Sequence, residues 1–189
     1  ADGKAMNYAM DAAAGEWQLT DYVKKGIELL DNKKGFFLMT ESGKIDWACH
    51  ANDAGSTIND TIALADAVDE AIAFANEHPD ETLILVTGDH ETGGLTIGYA
   101  GTDYDTYLTN LTNQKISYAK FDTDYVAKYK ENQTSFEDMM KDVEELFGLK
   151  MSGAEDDKLV LTEYEIGLLK DAYAKTLADE KADSENQKE

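Results

Sequence analysis

The sequence predicts an α/β fold, a parallel-sheet core carrying a mostly helical, acidic insertion. Three observations predict it. GFFLMT (35–40) and TLILVT (82–87) are short apolar runs bounded by turn signals, the pattern of strands covered on both faces. Between them, Ile58, Ile62, Ala65, Val68, Ile72 and Ala75 recur at spacings of three and four, which makes one apolar helical stripe. A helical crossover of that length joins parallel strands in a βαβ unit.

The elements follow in order. The N-terminus, ADGKAMNYAMDAAAGE, lacks the basic stretch and apolar core of a secretion signal. The expectation is a cytosolic protein, or one whose export signal lies outside this chain. From Leu19 to Asn32, Val23, Ile27 and Leu30 mark a first helix, with Thr20 as its candidate cap. After the first strand, ESGKIDWACHANDAG (41–55) reads as a polar loop at the strand's carboxyl end. The crossover helix runs from Ser56 to His78 and is stopped by Pro79 and Asp80. GDHETGG (88–94) is the loop after the second strand, and LTIGY (95–99) is a candidate third strand.

From about Gly101 the texture changes to Tyr, Thr, Asn and Asp with short amphipathic pieces. A helix is expected over Ser135–Phe147, with Phe136, Met139, Met140, Val143 and Phe147 inward. A last helix from Thr162 to Ala178 opens on a capping box, Thr162 to Glu165. The expected organisation is therefore a partial α/β core over 1–100, an insertion or cap over 101–160, and a C-terminal helix with a polar tail over 161–189.

Composition narrows the function classes. Hydrophobic residues at 42% and charged residues at 30% describe a globular chain. No apolar run approaches the roughly 18 residues of a membrane span, so no membrane partner is expected. The 17 basic residues, all lysine, face 39 acidic ones, for a net charge of −22. That balance argues against a nucleic-acid partner, because phosphate backbones need a basic surface. Without arginine, no bidentate guanidinium clamp on phosphate is available. The single cysteine, Cys49, excludes an internal disulfide and a cysteine-based zinc cluster.

In parallel α/β sheets, ligands bind beyond the carboxyl ends of the strands, where both polar loops fall. Asp46 and His50 are four residues apart, so one helical turn would put them on one face, within reach of one ion. Glu41 follows the first strand, and Asp89 and His90 follow the second. Carboxylates with neutral imidazoles form a zinc ligand set, while an all-oxygen subsite around Glu41 suits magnesium. Each residue also has a plainer reading. His50 can be a satisfied surface histidine, Asp46 a helix cap, Glu41 a solvated acid, and the glycines around Asp89 a turn. His78 ends a helix and is explained by its dipole. Cys49 reads as a small packed residue, with a thiolate ligand as the alternative.

GFFLMTESGKIDWACHANDAG, followed some 40 residues later by LILVTGDHETGG, closely resembles the alkaline phosphatase family. The resemblance covers about residues 20–99, and the stretch after it resembles the family's variable insertion only loosely. It implies Glu41 as a magnesium ligand, Asp46 and His50 as ligands of a first zinc, and Asp89 and His90 as ligands of a second. Trp47 falls at a variable position, where other members carry histidine or lysine. The implied activity is hydrolysis of phosphate monoesters through a phosphoserine, with zinc and magnesium as cofactors. A periplasmic or secreted protein and a homodimer are implied as well. The sequence departs from the family pattern in four respects. There is no Asp-Ser-Ala nucleophile stretch, no upstream metal-binding aspartates, no phosphate-binding arginine, and no histidine after His90. The expectation is a piece of an alkaline phosphatase that lacks the nucleophile and is inactive alone. Two alternatives stay open. One is another metal-dependent phosphodiesterase or phosphomutase of the same superfamily, which the ESGKIDWACH spacing fits less well. The other is a non-catalytic acidic metal-binding module.

Overall fold

The computed structural model describes residues 5–95 and 106–179, and the chain separates into two units, Ala1–Thr96 and Ile97–Glu189. In the first unit a single 3-10 turn, Ala9–Asp11, precedes three helices: α1 (Leu19–Leu30), α2 (Gly43–His50) and α3 (Ala54–Glu77). The cap of α1 is not Thr20, which lies inside the helix. The Asp21 carboxylate instead accepts the Gln18 N–H at 2.8 Å. Asp53 caps α3, its carboxylate accepting the Ser56 N–H at 3.0 Å and the Ser56 hydroxyl at 2.7 Å. At the other end His78 donates its N–H to the carbonyls of Phe74 and Ala75, and its ring lies 4.5 Å from that of Phe74.

The parallel-sheet core is not found. Among the described residues there is no strand, and the one isolated β-bridge, Lys150 with Val160, lies in the second unit. Residues 36–40 and 82–87 carry no helix or strand and form no ladder among the described residues. Phe36 packs edge-on against Phe74 of α3, and Leu38 lies against Gly26 of α1. The alternate residues point away: Phe37, Met39, Leu83 and Leu85 are 85%, 78%, 81% and 80% exposed. The error has a physical cause. An apolar run announces a segment that buries well, but a strand exists only where a second backbone supplies hydrogen-bond partners. The candidate third strand LTIGY lies, apart from Leu95, outside the described residues.

The expected loop over 41–55 is largely helix. Its residues GKIDWACH carry no clear apolar stripe, so periodicity misses it. Contact with α3 makes it a helix in place, and the fully buried Ala48 is small enough to allow close approach. Asn52, at φ 53°, turns the chain between α2 and α3, and the Asp53 N–H returns to the Ala48 carbonyl at 2.9 Å.

The second unit is helical throughout its described elements. A short 3-10 segment, Leu108–Asn113, is followed by α4 (Tyr118–Phe121), a π-helical stretch (Asp122–Val126) and α5 (Ala127–Asn132), then by α6 (Phe136–Phe147) and α7 (Glu163–Leu177). Tyr129, Met139, Met140, Val143 and Tyr173 form its buried core. The Thr162–Glu165 capping box is formed, with the Thr162 N–H donating to Glu165 at 2.8 Å and the Glu165 N–H to the Thr162 hydroxyl at 3.3 Å. Among the described residues, no helix is long and apolar enough to cross a membrane.

Candidate metal centre

Helix α2 and the loop after residue 87 build the site. On α2 the four-residue spacing places His50 Nε2 3.5 Å from Asp46 Oδ1. The loop closes on the same oxygen. The Thr92 hydroxyl donates to Asp46 Oδ1 at 2.8 Å, and His90 Nε2 lies 3.9 Å from it. His90 Nε2 is also 3.8 Å from Asp89 Oδ2. Its other nitrogen, Nδ1, sits 2.9 Å from the Glu91 carbonyl and 3.0 Å from the Thr92 hydroxyl. With the Nδ1 proton donated to the Glu91 carbonyl, Nε2 is left to face the carboxylates. That backbone hydrogen bond, followed by the Asp89 charge, raises the His90 pKa above its ordinary value.

Gly93 makes the closure possible. At φ 72° it lies so close to α2 that a Cβ would collide with the Cys49 carbonyl. A cavity of about 70 Å³ remains beneath, bounded by Cys49, Thr57, Thr92 and Gly93. Cys49 turns its sulfur to the Thr57 hydroxyl, 3.6 Å away, as a packed residue does.

The opposite side of α2 rests on the N-terminal segment. Lys44 Nζ lies over the rings of Tyr8 and Trp47, 4.4 and 4.2 Å from their centroids. Burial lowers the Lys44 pKa, against the raising influence of Asp60 and Asp11. Burial also raises the Asp60 pKa, although its carboxylate accepts the Ala9 N–H at 3.3 Å.

Of the five residues singled out from sequence, Asp46, His50 and His90 meet at one carboxylate oxygen, and Asp89 joins through His90. Glu41 is exposed, two residues before α2, and makes none of these contacts. Among the described residues, no group of three or more His, Cys, Asp or Glu is arranged to hold a metal ion. The pairwise spacing nonetheless suits one. Two donors each about 2.0–2.2 Å from a tetrahedral zinc stand roughly 3.5 Å apart. Asp46 and His50 have that separation, and His90 is slightly wider. Sequence reasoning missed Thr92 and Gly93. The available signal was the TGG directly after the Asp-His pair, a hydroxyl followed by residues free to approach a helix closely.

The family model described as alkaline phosphatase matches residues 1–158. The chain is 41% identical over 102 residues to alkaline phosphatase 4 of Bacillus subtilis, an overlap covering 53% of this chain and 22% of that protein. It is 32% identical over 117 residues to the repressible alkaline phosphatase of Saccharomyces cerevisiae, covering 58% and 21%. With the Escherichia coli alkaline phosphatase it shares 45% identity over 74 residues, 39% of this chain and 15% of the relative. The matched region thus spans about a fifth of the length of these curated relatives. No solved structure matches. The family match runs on past residue 99, through the stretch expected to be a variable insertion. With ESGKIDWACH and GDHETGG meeting at Asp46, and a match over most of its length, the chain belongs to the alkaline phosphatase family.

Proposed function

We propose that the protein represented by this chain hydrolyses phosphate monoesters, and that these residues supply part of its metal shell. Asp46 and His50 hold a first zinc, Asp89 and His90 a second, and Glu41 a magnesium ion. Bound there, the metals supply Lewis acidity toward phosphoryl oxygens and lower the pKa of a coordinated hydroxyl. The chain's own residues prepare the ligands. Thr92 orients the Asp46 carboxylate through its 2.8 Å hydrogen bond. The Glu91 carbonyl holds the His90 proton on Nδ1, leaving Nε2 for a metal. The observation that carries this reading is the meeting of helix α2 and the Asp89–Thr92 loop at Asp46 Oδ1. The relatives, all named as alkaline phosphatases, support the reaction class.

The chain alone is inactive in this reading. Phosphoryl transfer needs a nucleophile and positive donors on the equatorial oxygens as well as metals. The sequence has no Asp-Ser-Ala stretch and no arginine. Ser42 is the serine next to a proposed ligand, and it lacks the family's nucleophile context. A chromogenic phosphate monoester at alkaline pH, with zinc and magnesium, should give only background turnover with this chain. Turnover that disappears on Asp89→Ala would place the nucleophile within these residues and contradict the reading.

A further inference from the structure

Helix α2 spans eight residues, about two turns, too short to be stable without tertiary anchors. At roughly 100° per residue, Asp46 and His50 share one face, Lys44 is turned about 120–160° from it, and Trp47 lies between, about 60° from both His50 and Lys44. The Lys44 face is clamped. Tyr8, 3% exposed, forms a fixed wall, and Lys44 Nζ lies between its ring and that of Trp47. The segment carrying Tyr8 is itself pinned to α3. The Ala9 N–H donates to Asp60 Oδ2 at 3.3 Å, and the Ser56 hydroxyl lies 3.1 Å from Met10 Sδ. Asp60 and Asp11 both face the ammonium electrostatically. One side chain on α2 therefore links the helix, the N-terminal segment and α3.

We propose that Lys44 is the positioning residue of the metal-binding helix: its ammonium, held over Tyr8 and Trp47, seats α2 so that Asp46 and His50 face the Thr92 loop. The proposal rests on the reading of Asp46 and His50 as metal ligands. A lysine between two ligand positions would ordinarily be read as a phosphate-attracting point charge. Here its charge is turned to two rings, the buried Asp60 and the partly exposed Asp11, and it acts through the helix rather than on a substrate. Without it α2 keeps its contact with α3 but loses its second wall, and the ligand face is free to rotate.

The test uses the full 189-residue chain with Trp17→Phe, which leaves Trp47 as the sole tryptophan. Without metal, Lys44→Met should raise acrylamide quenching of Trp47. In zinc titrations it should weaken binding about ten-fold, the scale seen when outer partners of metal ligands are lost. Lys44→Arg, which retains the cation and its stacking, should restore both. Ala67→Gly, buried in α3 away from the clamp, should lower thermal stability and leave zinc affinity unchanged. Unchanged quenching and affinity in Lys44→Met, or a loss that Lys44→Arg does not restore, would overturn the proposal. Should Lys44→Met fail to fold, Tyr8→Leu replaces it with the same expectations and the same overturning result. Should the parent chain bind no zinc, the metal reading fails, and the metal-free quenching alone decides for or against Lys44.

Discussion

The two units solve burial in different ways. The second closes on itself: Tyr129, Met139, Met140, Val143 and Tyr173 touch in one apolar cluster, ringed by partly buried aromatic and aliphatic side chains. The first carries the candidate ligands and buries little that is large. Beyond Tyr8 and Val23, its buried residues are alanines and Gly55 together with Asp53, Ser56, Thr57 and Asp60, while its longest apolar runs lie open on one side. The unit with the apolar core carries none of the candidate ligands. The unit with the ligands is organised by capping, a cation over two rings and a glycine contact. Stability and site geometry are thus separated along the chain, and substitutions should separate them too.

The largest expected effect is in the closed unit. Met140→Ala removes a side chain that is 2% exposed at the centre of the cluster. It should cost about 3 kcal/mol in denaturant unfolding, the range of large-to-small core changes. Zinc binding by the folded chain should be unaffected. A matching loss of zinc affinity would show that the two units are energetically coupled.

Tyr129→Phe comes next. The Tyr129 hydroxyl donates to Asp142 Oδ2 at 2.6 Å, and its loss should cost about 1.5 kcal/mol at neutral pH. Burial first, and then the Asp142 carboxylate, push the phenol well above its ordinary pKa. The native state therefore keeps a proton that the unfolded state loses near pH of about 10, so stability must fall as pH rises through that point. Tyr129→Phe should remove that part of the alkaline slope. A slope unchanged in the variant would show that Tyr129 does not set it.

Leu85→Ser marks the small end. Leu85 is 80% exposed, and its replacement should change stability by no more than about 0.5 kcal/mol. A cost comparable to that of Met140→Ala would mean that the outward row of the first unit is packed after all.

The same contrast explains how much was legible in the sequence. Helices α1, α3, α6 and α7 lie close to where periodicity places them, since an amphipathic stripe is a local property, although the caps of α1 and α3 were not read correctly. Among the caps, the Thr162–Glu165 box is the clearest case. Strands are not local. GFFLMT and TLILVT carry the composition of buried strands, yet their pairing depends on a neighbour that no single run encodes. Helix α2 was hidden for the converse reason: GKIDWACH carries no clear apolar stripe, and a tertiary contact at Ala48 makes it helical. In the site, the Asp46–His50 spacing was readable because it is helical arithmetic. Thr92 and Gly93 were not, because their role lies in a contact across 46 residues of chain. The π-helical stretch at Asp122–Val126 left no pattern to read.

On the proposed function, Asp46 and His50 take a divalent metal, with Thr92 fixing the Asp46 carboxylate. Calorimetric zinc titration of the chain and its variants tests it most directly. The expected result is saturable binding that falls at least about ten-fold in both His50→Ala and Asp46→Ala. His78→Ala should be unchanged, since His78 caps α3 and packs on Phe74. No saturable binding, or an equal loss in His50→Ala and His78→Ala, would contradict it.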